Sequence, residues 1–170
     1  MSRTTPPRKR HFVDGARIFS TPEDTESEDY VAAKICERYD VELIRFGSLC
    51  PIDFFARHKG GVTGVIEVKT RCNDSREYPT VFLSVQKWIA LSLASMGMGV
   101  PAYFVVRFTD GIRWIEISDL GAMPYLIRIV YTADEGDDPE PCIEVPIGRM
   151  ETLHETTISV RGEALRDSGA

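Results

Sequence analysis

The chain is short of the residues that build the commonest sites. Its three histidines, His11, His58 and His154, lie far apart, so spacing gives no support to a histidine metal cluster. The four cysteines, Cys36, Cys50, Cys72 and Cys142, form no C-x-x-C pair and have no histidine at zinc-ligand spacing. Scattered reduced thiols are the simpler reading. No apolar run approaches the ~18 residues that cross a bilayer. The polar, basic start has no apolar segment of the signal-peptide kind, so a cytoplasmic protein without a membrane partner is expected. There is also no excess of positive charge: 20 Lys and Arg stand against 26 Asp and Glu, a net charge of −6. That balance argues against a general nucleic-acid binder.

What is present suits one soluble domain of 170 residues with a single core. The charges are unevenly spread. Arg3, Arg8, Lys9, Arg10 and Arg17 crowd the start, and acids crowd 23–29 and 134–144. Residues 1–17 carry no apolar periodicity and are expected to be a flexible basic arm, a solvated tail or a contact for phosphates. Ser20-Thr21-Pro22-Glu23 is a helix start, with a hydroxyl cap, Pro in the first turn and acids at the positive end of the dipole. Val31, Ala32, Ile35, Cys36 and Tyr39 then recur at helical spacing, which predicts a helix over 22–39. Glu28 lies one turn before Ala32, on the buried side of that helix.

Strands are predicted over 41–46, 52–57 and 62–70, the last two joined by the hairpin signal Lys59-Gly60-Gly61. A polar loop follows over 73–79. Helical spacing returns from Ser84 to about Met96 and closes at Met-Gly-Met-Gly. Residues 101–108 read as a central buried strand, and Asp110-Gly111 turns the chain back into 112–117. An added hairpin is expected beyond, with arms near 125–131 and 142–147, then a frayed tail over 161–170. The order is helix, three strands, helix, two strands and a hairpin: a mixed α/β sheet with helices packed on it.

The chemistry concentrates between Pro51 and Lys69. Pro51-Ile52-Asp53 precedes a Gly-containing connection and then Glu67-Val68-Lys69. On adjacent strands the carboxylates of Asp53 and Glu67 can converge on one divalent cation, and alternation puts Glu67 and Lys69 on one face. Two hard oxygen ligands with an ammonium beside them suit metal-assisted cleavage of a phosphodiester. Asp53 alone could be a turn residue. Glu67 is harder to explain away, because it interrupts an apolar strand and a buried carboxylate needs a cation or donors. The simpler reading of Glu67 is an ion pair with Lys69 or Arg71. An acidic protein is no contradiction, since a bound cation reverses the local sign.

These residues resemble the PD-(D/E)XK nuclease superfamily, the restriction-endonuclease-like fold, with Pro-Ile-Asp in place of the tighter Pro-Asp. The order αβββαβ of that family's core is similar to residues 22–117, and the size and spacing look most like small Holliday-junction resolvases and phage-encoded nucleases. The resemblance implies that Asp53, Glu67 and the backbone carbonyl of Val68 bind Mg²⁺ or Mn²⁺, and that Glu28 contacts the metal directly or through water. It implies that Lys69 orients or helps deprotonate the attacking water and stabilises charge on the phosphate. Family members place a polar residue at the start of the second helix, where Gln86 and Lys87 are candidates for phosphate or metal-water contacts. Arg71, if the strand ends before it, becomes a phosphate ligand, and Arg76 in the following loop is a weaker candidate.

The expected function is therefore Mg²⁺-dependent hydrolysis of DNA, on branched or free-end substrates. Resolving branched DNA requires a homodimer, for which the added hairpin could supply the surface. The competing expectation is a catalytically silent module of the same fold that binds nucleic acid or a protein partner. A third is an unrelated α/β protein in which Glu67 and Lys69 form a structural pair.

Overall fold

The computed structural model describes residues 11–13, 16–18, 22–47, 50–121, 127–131 and 139–153. Strands β1 (His11–Val13) and β2 (Ala16–Ile18) pair antiparallel with each other, so the described part of the expected basic arm is a short ladder. Arg3, Arg8, Lys9 and Arg10 lie outside the described residues, as do most of the acidic loop of the hairpin and the tail.

Helix α1 runs over Pro22–Tyr39, the predicted span. It is followed by β3 (Glu42–Arg45), β4 (Phe54–His58) and β5 (Gly61–Thr70). The β4–β5 turn puts Lys59 and Gly60 at φ of 48° and 84°, the left-handed pair that a two-residue hairpin needs. Next come β6 (Thr80–Ser84) and α2 (Val85–Met98), which Gly99 ends at φ 66° by donating its N–H to the Ser95 carbonyl. Strands β7 (Ala102–Phe108) and β8 (Gly111–Glu116) lead into the short α3 (Ile117–Gly121). Strands β9 (Ile127–Tyr131) and β10 (Pro139–Pro146), a 3-10 turn at Ile147–Arg149 and β11 (Glu151–Thr152) complete the described chain.

Six strands form the main sheet in the order β11-β8-β7-β5-β4-β3. Within it β5 and β7 pair parallel and the other neighbours antiparallel. A parallel pair requires a crossover, and β6 with α2 provides it. One face of the sheet packs on α2, β6, β10 and α3 through Val65, Leu83, Leu91, Phe104, Val106 and Val145. The other packs on α1 through Val31, Ile35, Ile66, Val68 and Val105.

One correction concerns the second sheet. Thr80–Ser84 is a strand where the sequence predicts no element, and the C-terminal hairpin, whose arms pair as β9 and β10, joins its edge. Strand β10 pairs with both β6 and β9, making a three-stranded sheet β6-β10-β9. Val81 and Leu83 alternate inward from Phe82 and bury against the main sheet, which leaves the edge of β6 for β10 to pair. The chain then returns to the main sheet, where β11 pairs with β8.

Candidate active site

Alternation along β5 sets the site. Ile66 and Val68 face α1, so Glu67 and Lys69 face α2 and β6. Strand β4 begins at Phe54, opposite Ile66. Asp53 sits one step before it, anchored by its carbonyl, which accepts the Phe46 N–H at 2.9 Å. Its carboxylate reaches across to β5, where Oδ2 accepts the Val68 N–H at 2.8 Å. Asp53, just before β4, and Glu67 on β5 thus stand side by side, brought level by a register shift between Ala56 and Arg57 of β4.

Glu67 is 2% exposed and pairs with Lys87 of α2. Its second oxygen, Oε2, is buried and accepts no hydrogen bond among the described residues. Burial pushes the Glu67 carboxyl above its ordinary value; the Lys87 ammonium opposes this, and the charge of Asp53 and a side-chain hydrogen bond with it reinforce it. Burial also works to lower Lys87, but the carboxylates of Glu67, Asp53 and Glu28 outweigh it and hold the ammonium above its ordinary value. The ion pair expected for Glu67 with Lys69 or Arg71 is made instead with Lys87. Strand β6 runs into α2 with no intervening loop, which carries the third residue of the helix over Glu67.

Glu28 projects from α1 toward the same place and is held by Arg45, which also bonds Asp29 at 2.7 Å. Burial raises the Glu28 carboxyl, its bond to Arg45 lowers it, and Asp53 raises it further. Arg45 went unnoticed in the sequence. It precedes Phe46, whose N–H bonds Asp53, and its register partner is Phe54, which places it beside the acids.

Lys69 shares the face of Glu67, but its Nζ donates to the Phe82 carbonyl of β6 at 2.7 Å. Burial lowers the ammonium to about 8, and neighbouring Arg71 adds to the effect. Strand β5 ends at Thr70, so Arg71 lies just beyond it, half-buried near Cys142; burial lowers its pKa. Gln86 is exposed on the first turn of α2.

Arg76 is not brought to the site. Its Nε and Nη2 each donate to Asp74 at 2.8 Å, and its backbone N–H also donates to Asp74, at 2.9 Å. These bonds hold the Asp74 carboxyl well below the usual carboxylate range. A loop arginine closed on its own neighbour has little charge left for a nucleic acid. Arg76→Ala is expected to change cleavage of duplex DNA by less than about threefold and to leave the melting temperature nearly unaltered. A tenfold loss of cleavage would show that Arg76 leaves Asp74 for the substrate.

Two neighbouring carboxylates, one with a buried oxygen that accepts no hydrogen bond among the described residues, fit a hard divalent cation. Among the described residues no three His, Cys, Asp or Glu side chains converge as a ready ligand cluster. Glu28, the third acid, is drawn to Arg45. A cavity of about 400 Å³ lies elsewhere, between α1 and the β7–β8 turn, lined by Tyr30, Arg38, Arg107 and Asp110 among others, and includes none of these acids.

Residues 16–153 match the family described as "Phage putative PDDEXK endonuclease". The chain belongs to that family. An acid–x–lysine run, Glu67-Val68-Lys69, lies on β5 within the matched span, with Asp53 before it. The structure is also similar to that of Archaeoglobus fulgidus Hjc, a Holliday junction resolvase from an archaeal hyperthermophile. The two share 17% identity over 72% of this chain and 84% of that one, with a TM-score of 0.49. Among curated proteins no relative matches this PDDEXK chain. No helix of the described residues is long and apolar enough to cross a membrane.

Proposed function

We propose that this member of the PDDEXK endonuclease family is a metal-dependent deoxyribonuclease whose centre is Asp53 and Glu67. The observation that carries the reading is Glu67 Oε2, a buried oxygen that accepts no hydrogen bond among the described residues and is held against the Asp53 carboxylate. A native fold retains such an atom at a cost of about 1–3 kcal/mol, which a ligand can remove. Asp53, Glu67 and the Val68 carbonyl would hold Mg²⁺ or Mn²⁺, with Glu28 joining them directly or through water once it leaves Arg45. When bound, the cation supplies Lewis-acid polarisation of the phosphate and acidifies its water.

The chain's own groups do the remaining work. Lys69 orients the attacking water and stabilises charge developing on the phosphate. Lys87, Gln86 and Arg71 line the approach and contact the DNA backbone. No base-reading motif is visible, so recognition rests on shape and phosphates. The free thiols support a cytoplasmic site of action. A homodimer presenting two centres suits branched DNA, and the exposed Ile127 and Ile129, on one face of β9, give the hairpin an apolar surface for it. One observation favours the second reading, a silent module of the same fold: the Lys69 ammonium is engaged by a backbone carbonyl.

The test is cleavage of labelled linear duplex, single strand, flap and four-way junction with Mg²⁺, Mn²⁺ or EDTA, with the solution mass measured by light scattering. Metal-dependent cutting of the junction or of free ends by a dimer is expected. Binding of these DNAs without cutting in either metal would leave the silent module. A monomeric mass would remove the paired-centre reading.

A further inference from the structure

Lys87 is an odd residue for its position. It lies in the first turn of α2, at the positive end of the helix dipole, where a cation is disfavoured. That turn has no acidic residue, and the cap residue Ser84 makes no side-chain capping bond. What compensates Lys87 is the Glu67 carboxylate across the crossover, with Asp53 and Glu28 adding to the same field. The two partners differ in freedom. The Glu67 side chain is 3% exposed and fixed mid-strand, whereas that of Lys87 is 40% exposed on a flexible stem. If the pair opens, the lysine is the partner that can leave.

Resting on the proposed metal centre, we infer that Lys87 is a resident counter-ion: it neutralises Glu67 while no metal is bound, a divalent cation displaces it, and the freed ammonium turns outward to a DNA phosphate. Metal binding is then an exchange of one cation for another. The buried carboxylate is never left uncompensated, which would be strongly destabilising. The exchange also couples the two ligands. The metal that completes the centre sets free a phosphate contact at its rim, so DNA and metal each favour the state that binds the other. Glu28 and Arg45 form a second pair of the same kind at the centre's edge, with the arginine bonded to Asp29 as well. Lys87 differs in being the cation set against Glu67 itself.

The experiment is Mn²⁺ titration of the full chain followed by thermal melting, on wild type, Lys87→Met and Lys87→Arg. Removing the competing cation in Lys87→Met is expected to tighten Mn²⁺ binding about tenfold or more, because no ion pair must be broken first. Lys87→Arg keeps the charge and is expected to bind no more tightly than wild type. Equal or weaker binding by Lys87→Met, or equal tightening in both variants, would overturn the inference.

A second readout needs no variant. In a lysine-ammonium ¹H–¹⁵N spectrum of the wild type, the paired Lys87 signal should be visible without metal and lost to solvent exchange at saturating Mg²⁺. A signal that persists with Mg²⁺ bound overturns the exchange while leaving the metal centre standing. If wild type and both variants show no metal-dependent melting, the centre itself fails and the inference with it.

Discussion

Asp53→Asn and Glu67→Gln are each expected to abolish metal-dependent cleavage, by at least about 100-fold, while the protein stays folded. The substitutions keep volume and hydrogen-bonding shape and remove the charge a cation needs. In Asp53→Asn the new amide oxygen can still accept the Val68 N–H, so the β4–β5 junction is preserved. Glu67→Gln removes a buried carboxylate that burial already disfavours, leaving Lys87 to turn toward solvent. Loss of activity should therefore come without loss of structure. The separating measurement is thermal melting with and without Mn²⁺. At 100 times its dissociation constant a cation that binds only the native state adds about 2.7 kcal/mol. For a chain of this size that is a rise of about 5–10 °C in Tm. Wild type should show that rise and both variants should lack it. Undiminished Mn²⁺ stabilisation of Asp53→Asn would place the metal elsewhere.

The acids of the proposed centre were legible because period-two alternation and a hairpin signal are local properties. Lys59-Gly60 fixes the turn, but the turn register alone would set Asp53 opposite Ile66. A bulge on β5 between the pairs Arg57–Val62 and Ala56–Gly64 shifts it by one residue and puts Asp53 beside Glu67, and that bulge left no signal in the sequence. Glu28 was legible for the same kind of reason, from its phase relative to Val31 and Ile35 on α1. The cations were not. That Lys87 rather than Lys69 pairs with Glu67 follows from β6, five residues whose Val-Phe-Leu alternation is too short to stand out before a helix. That strand exists because β10, some sixty residues later, pairs with it. A pairing of that separation leaves no periodic trace. The carbonyl that captures Lys69 belongs to the same strand, so missing β6 hid both lysine contacts at once. Arg45 was hidden differently: one basic residue on a short strand is common, and only the crossing of α1 over β3 and β4 makes it the partner of Glu28.

Lys69→Met is expected to lose cleavage and gain stability. The ammonium lies beneath the second sheet, lowered to about 8 by burial and by Arg71, and bonded to one carbonyl. In the unfolded chain a lysine titrates near 10.4. At pH 7 the native state therefore holds a charge it would rather release, at a cost of up to about 3 kcal/mol. Methionine fills the same space without charge. The bond to Phe82 is lost, worth about 1 kcal/mol, which leaves a net gain of about 1–2 kcal/mol. The sign with pH is fixed by the depressed pKa. Between about 8 and 10.4 the unfolded chain binds more protons than the native one, so wild-type stability from this group rises with pH. The advantage of Lys69→Met should thus be full below about pH 8 and shrink toward pH 10. Urea unfolding at pH 7 and at pH 10 measures it, and cleavage with Mg²⁺ at pH 7 should fall by at least about 100-fold in the same variant. A variant more stable yet inactive would mark Lys69 as a residue kept at a cost in stability, the trade expected of a catalytic group. Full cleavage by Lys69→Met would assign the lysine to the structure alone and leave Lys87 as the cation that works at the phosphate.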